Sequence, residues 1–277
     1  MSAVYISCDL EGVAGIADWE QVGPGPAGEL GRRLLLAEVN AAIDGALKAG
    51  ADRFLVNDSH GAMQNLDPAL LHGQAEYCSG RHKPRYMMEG LDSGFAAVFF
   101  IGYHGSVDGG PSVLSHTYNP MAIAGAAING IPVGESGLNA LVAMAHGVPV
   151  ALITGDQYTA AQARPILPGV TEVVVKQSVS RMAARSLHPE LACGLIRDAA
   201  ERSLGRLDMI APPAFELPIR LRVRLRNADL AQLATRIRQV EPLEDPLAVE
   251  VVGDDPLLLF EEFVALVQLT RGLAEQR

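Results

Sequence analysis

The sequence predicts an α/β protein, with a mostly parallel sheet, helices on both of its faces, and a smaller α+β unit towards the C-terminus. Three observations lead there. Short, near-continuous apolar runs alternate with helix-spaced segments through the front two-thirds of the chain, as in strands buried on both faces. Chemically active side chains cluster just past the ends of those runs, where open α/β sheets bind their ligands. The pattern changes near Pro212-Pro213, within a chain of 277 residues that is long enough for a main domain and a smaller partner. The expected division is residues 1–205 for the sheet that carries the chemistry and 206–277 for the smaller unit, the latter a candidate for oligomer contacts.

Val4 to Cys8 is a short apolar run that ends in Asp-Leu-Glu-Gly. Glu29 to Ala49 carries apolar residues at helical spacing through Leu34, Leu35, Val39, Ala42, Ile43 and Leu47, and stops at Gly50. Gly23 to Gly28, GPGPAG, reads as a surface loop with a lid as the alternative. Phe54 to Val56 and Ala96 to Ile101 read as the next strands, ending in Asn-Asp-Ser-His and Gly-Tyr-His-Gly. Gly134 to Ala145 is a helix closed by Gly147, Val148 to Thr154 a strand, Gln157 to Ala163 a helix, and Val170 to Val175 a strand. Beyond the double proline, Phe215 to Val223 and Ala248 to Val252 read as strands, and Pro256 to Ala274 as a closing helix.

Composition excludes several classes. Lys and Arg total 22 against 32 Asp and Glu, a formal net charge of −10, with no long basic run. Such a chain is a poor partner for nucleic acid, whose binding rests on phosphate contacts. The opening MSAVYISCDLEG has no basic n-region and no long apolar stretch, so no signal peptide is expected. The most apolar stretch, Ser136 to Gly155, is broken by Asn139, His146, Gly147 and Pro149, so no membrane span is expected either. Three cysteines without CxxC spacing fit a reducing, cytoplasmic setting and read as small buried hydrophobes; Cys8 is set apart by its neighbour Asp9.

The candidate site residues come from distant segments. Asp9 and Glu11 leave the first strand two residues apart, so on extended chain both side chains point the same way. Two carboxylates so placed repel unless a cation lies between them; exposed turn carboxylates are the bland alternative. Gly12 and Gly15 follow them and permit close backbone approach. His60 and His104 occupy matching strand-end positions and read as metal ligands or as structural histidines, with Asp58 a candidate acceptor for the His60 ring. His116, in SVLSHTYN, is a further ligand, a proton carrier, or a polar loop residue; Glu135 opens a helix, where it also complements the helix dipole. His72, His82, His146 and His188 read as surface residues.

If Asp9 bridges two cations, Asp9, Glu11 and His104 can hold one, and Asp9, His60 and Glu135 the other. Three protein donors and an open position are the catalytic rather than the structural zinc pattern. The mixed carboxylate and imidazole set suits zinc, with manganese or cobalt as alternatives.

The segments SCDLEGVAGI, LVNDSHGAMQNL, MMEGLD, FIGYHG, VLSHTYN, INGIPVGESGLNA, TGDQ and VVKQSVSR, in this order over roughly residues 4 to 182, resemble the bacterial D-aminopeptidases of the dipeptide-transport operon, a family of two-zinc metallopeptidases. Past about residue 205 the match is loose. The resemblance implies metal ligands at Asp9, Glu11, His60, His104 and Glu135 and a catalytic histidine at His116, with no ligand type substituted. It also implies two Zn2+ per subunit, hydrolysis of short peptides that begin with a D-residue of the D-Ala type, and a ring-like homo-oligomer, a decamer, enclosing the active sites. Lys176 could pair with a substrate carboxylate. Two other readings are open to the same residues. One is a two-metal phosphoesterase, which would want an Arg clamp beyond the basic cluster Arg81, Lys83 and Arg85. The other is a non-catalytic metal- or peptide-binding protein of a transport system.

Overall fold

In a computed structural model, which describes residues 2–276, two sheets share one apolar layer. The larger sheet is built from β1 (Ser2–Cys8), β2 (Ala51–Asp58), β3 (Ala75–Cys78), β4 (Ala97–Ile101), β7 (Val150–Asp156), β8 (Thr171–Ser180) and β9 (Ala183–Ser186). Its order is β3-β2-β1-β4-β7-β8-β9, parallel throughout except for the antiparallel β9. The second sheet, in order β11-β12-β10-β5-β6, is antiparallel and contains β5 (Ile123–Ile128), β6 (Ile131–Pro132), β10 (Ile219–Leu225), β11 (Glu241–Pro242) and β12 (Ala248–Gly253).

Strand periodicity explains the layering. Along β1, Ala3 and Tyr5 enter one core, while Val4, Ile6 and Cys8 enter the other. The second core lies under α1 (Pro26–Lys48) and α4 (Pro189–Leu204), which pack against each other. The first core is closed by α2 (Glu135–His146), the inner face of the second sheet and α6 (Pro256–Ala274). Strand β10 reads IRLRVRL with alternate burial, the signature of a sheet with one face wet. Two shorter helices, α3 (Gln157–Ala163) and α5 (Ala228–Ala234), complete the chain.

The α/β class agrees with the sequence, and the differences have simple causes. Helix α1 begins at Pro26, inside the segment read as a loop, because proline suits the first helical turn. The short edge strand β3 and the amphipathic α4 went unread. The division into 1–205 and 206–277 is a proposal only; the second sheet crosses that line, since β5, with β6 paired to its other edge, joins β10 from ahead of it. A hairpin reading IAGAAINGIP has small side chains and weak alternation, and pairing with a strand almost a hundred residues later leaves no local signal.

Strands β1, β2 and β4 run parallel and adjacent, so their carboxyl ends open onto one rim. At that rim the Gly12 N–H donates to Gly102 O at 2.8 Å. A Cβ on Gly12 would fall 1.8 Å from Tyr103 O, so only glycine lets the two exit loops meet backbone to backbone.

Candidate metal centre

All six candidates converge at this rim. Asp9 leaves β1, His60 follows β2, His104 follows β4, and Glu135 is the first residue of α2. Their donor atoms form three-residue groups within 4.8 Å: Asp9, Glu11 and His60; Asp9, His104 and Glu135; and Glu11, His104 and His116. Asp9 thus joins two sets through different oxygens. Its Oδ1 faces His60 Nδ1 at 3.2 Å and its Oδ2 faces His104 Nε2 at 3.3 Å. Glu11 Oε2 lies 3.0 Å from His60 Nδ1, and Glu135 Oε2 lies 3.5 Å from His104 Nε2. The shortest contacts group the donors differently from the sequence reading: Glu11 lies nearest His60 and Glu135 lies beside His104, although Glu11 also falls in one group with His104 and His116.

Each histidine is oriented by a carbonyl behind it. The outer Nε2 of His60 donates to Val22 O at 2.9 Å, and the outer Nδ1 of His104 donates to Gly105 O at 2.9 Å. Those bonds turn the inner nitrogen of each ring towards the carboxylates, as ligating imidazoles require. Asp58 does not take the His60 ring, as the sequence reading proposed. It accepts from the backbone N–H groups of Asn65 and Leu66 at 2.5 and 2.9 Å, and so shapes the loop that carries His60. Lys83 Nζ donates to Asn57 Oδ1 and to Asp58 O, at 2.5 and 2.6 Å, and fixes the end of β2.

The donor set fits a cation. Asp9 is 2% exposed and Glu11 1%, and Asp9 Oδ2 and His104 Nε2 are buried without a hydrogen-bond partner. An unpaired buried carboxylate oxygen is expensive, and a shared divalent cation would satisfy it together with the facing nitrogen. The protein electrostatics point the same way. Burial alone would push the Asp9 carboxyl up, but the facing His104 and His60 rings hold it well below its ordinary value. Burial alone would lower both imidazoles, but Glu11 and Asp9 raise His60, and Glu135 and Asp9 raise His104, well above the ordinary value. Without a cation, protons on the two rings balance the carboxylates.

His116 lies over the centre. Its ring stacks on His104 with centroids 4.3 Å apart, and Trp19 packs edge-on at 5.6 Å. Its Nδ1 donates to Leu114 O at 3.0 Å, which turns Nε2 to within 3.6 Å of Glu135 Oε1. A cavity of about 350 Å³ opens above these groups, lined by Asp9, Glu11, His60, His116 and Glu135 together with Trp19, Tyr86, Tyr118, Val267 and Arg271. That volume is at the small end for ligand sites, which run from about 300 to 1,000 Å³.

Trp19, Tyr118 and Arg271 were not read from the sequence. Tyr118 had a signal, two residues from His116 in SHTYN; Arg271 had none. Lys176 is corrected: it is 1% exposed, and its Nζ donates to Glu11 O, Val13 O and Ile16 O instead of facing the cavity. Nor do Arg81, Lys83 and Arg85 form a phosphate clamp. Lys83 is committed to β2, and Arg85 engages His146 at 3.4 Å and Glu261 at 3.5 Å.

Buried carboxylates and imidazoles in cation-binding geometry at the carboxyl rim of a parallel sheet, beneath a small cavity, define a metal-dependent hydrolase. Comparisons with known proteins specify the kind. A family model described as D-aminopeptidase matches residues 2–265. A D-aminopeptidase of Bacillus subtilis (strain 168) is 34% identical over 268 residues, 96% of this chain and 97% of that protein. A solved structure of the Zn-dependent D-aminopeptidase DppA from Bacillus subtilis, described as a self-compartmentalizing protease, superposes with a TM-score of 0.92 at 33% identity, covering 97% of this chain and 98% of that one. The chain belongs to the D-aminopeptidase family, and it is a metallo-aminopeptidase, a hydrolase. Among the described residues, no helix is long and apolar enough to cross a membrane.

Proposed function

We propose that this protein hydrolyses short peptides from the amino terminus, with a D-residue of the D-Ala type in first position, using two zinc ions on Asp9, Glu11, His60, His104 and Glu135. One observation carries the metal reading: two three-donor sets share Asp9, whose Oδ2 faces His104 Nε2 with both atoms otherwise unpartnered. Bound divalent cations at such a pair supply Lewis acidity and a water of lowered pKa. The rest falls to the chain. Asp9, with one oxygen turned to each set, fixes the spacing of the two sites. The tilt of His116, set by Leu114 O, presents Nε2 to the cavity, where it can hold a proton for the leaving amine or donate to a developing oxyanion. Trp19 covers the outer edge of that ring and limits water. Tyr118 N donates to Glu135 Oε1 at 2.7 Å and keeps that carboxylate aimed inward.

Stereochemistry and zinc use are supported by the relatives, a D-aminopeptidase and a Zn-dependent D-aminopeptidase of Bacillus subtilis. The self-compartmentalizing relative likewise supports a ring-like homo-oligomer, proposed as a decamer. A cytoplasmic setting accords with three free cysteines, Cys8, Cys78 and Cys193. The test is a zinc-loaded assay against D-Ala-D-Ala, L-Ala-L-Ala and D-Ala amide, with metal analysis of the same sample. Turnover of the D-peptide, loss on chelation, recovery with zinc and two ions per chain are expected. Equal rates on the L-peptide would remove the stereochemical part and leave the hydrolase standing.

A further inference from the structure

Among the described residues lining the cavity, Arg271 is the only lysine or arginine. It sits on α6, one turn after Val267 and one turn before Glu275, and all three face the same cavity. Its Nε donates to Glu275 Oε1 at 2.9 Å, with both side chains about half exposed (45% and 50%). An exposed i,i+4 pair of this kind is weak and readily exchanged for another carboxylate. Tyr86 lies beside Arg271 and stacks on Tyr118, with centroids 5.5 Å apart, and Tyr118 N holds Glu135. One wall of the cavity therefore runs from the buried acidic donors through two aromatic rings to a guanidinium. A molecule with an amine at one end, a carboxylate at the other and a short apolar middle matches that order. Arg271 also lies beyond residues 2–265 matched by the family model.

We propose that Arg271 receives the C-terminal carboxylate of the substrate, through a charge-assisted fork, and so selects short peptides that end in a free acid. This rests on the aminopeptidase reading above. It explains how a helix remote in sequence from every proposed metal ligand takes part in specificity: α6 adds the one lysine or arginine among the described residues of the cavity lining.

The experiment compares D-Ala-D-Ala with D-Ala-D-Ala amide on the full, zinc-loaded chain, its Arg271→Ala variant and its Arg271→Lys variant. The parent should favour the free acid by about tenfold or more in kcat/KM, as a charge-assisted hydrogen bond supplies, with the difference carried by KM. Arg271→Ala should bring the acid down to the level of the amide, and Arg271→Lys should restore part of the gap. Equal handling of acid and amide by the parent would overturn the proposal, as would an undiminished acid preference in Arg271→Ala. Calorimetric binding of the same two peptides separates this from the aminopeptidase reading. If nothing is hydrolysed, tighter binding of the acid that disappears in Arg271→Ala still supports the carboxylate role, and equal binding overturns it.

Discussion

Replacing Lys176 with methionine should loosen the metal centre from behind. The Lys176 ammonium donates to Glu11 O at 2.5 Å, Ile16 O at 2.8 Å and Val13 O at 3.0 Å, three buried carbonyls of the loop that carries Glu11 and follows Asp9. Glu38 on α1 holds the same loop by accepting from Ala14 N at 2.8 Å. Glu11 O and Ile16 O are left without a donor, at about 1–3 kcal/mol each, while Val13 O keeps the Ile16 N–H at 3.2 Å and gives up one bond of about 1 kcal/mol, so roughly 5 kcal/mol in all. Against this stands the burial of the charge itself. Burial, opposed chiefly by Glu38, lowers Lys176 from 10.5 to about 8. At 1.36 kcal/mol per unit, that shift marks an electrostatic penalty of roughly 3 kcal/mol which an apolar side chain avoids. The balance is a loss of about 2 kcal/mol, or a fall in Tm of roughly 4–8 °C for a chain of this size. Because the slackened loop positions Asp9 and Glu11, zinc affinity should fall about 10- to 100-fold, as for other losses of groups that orient ligands. Scanning calorimetry of the metal-free chain and a chelator competition on the same variant measure the two effects. A Lys176→Met protein that melts within about 2 °C of its parent and competes for zinc equally would refute the argument.

Zinc uptake at neutral pH should release protons, because the carboxylates hold His60 and His104 charged in the metal-free chain and ligation needs both rings neutral. Affinity should therefore weaken as pH falls, and calorimetry in buffers of different ionisation enthalpy that finds no proton release would contradict the site. His116→Ala should keep its zinc, since two three-donor sets survive without it, yet lose about 10²- to 10⁴-fold in kcat; a variant with full metal and near-parental kcat would end the catalytic role. Burial raises Glu38 from 4.5 to about 7, so its contribution to stability is fully present below pH 4.5 and is lost as pH rises through 7. Glu38→Gln should flatten that slope and leave the variant relatively more stable at pH 8 than at pH 5, which denaturant titrations at the two values will show.

The parts of the fold that were legible share a cause. Strands β1, β4 and β7 are buried on both faces and read as unbroken apolar runs, while α2 and α6 carry clear apolar spacing and clear stops. The exit of β1 was legible for the same reason, since a glycine that must accept a neighbour's backbone stands next to Glu11 as Gly12. What went unread depends on partners. Strand β5 has small residues and no strong alternation, β3 is a short edge, and Lys176 looked like a free cation at a strand end until the loop above was seen to fold over it.

The sequence by itself determined the chemistry on offer: carboxylates and imidazoles placed where strands end, a glycine that permits two loops to touch, and apolar periods that bury one sheet on both faces. These are local properties, written in adjacent residues and in the two-residue repeat of a strand. Only the tertiary structure decided which donors lie closest, setting Glu11 nearest His60 and Glu135 beside His104, which carbonyl orients each ring, and that α6 lends Arg271 to the cavity. Those choices follow from strand order and from the packing of a second sheet against the first, and a contact between residues far apart along the chain leaves no trace in the composition of either segment.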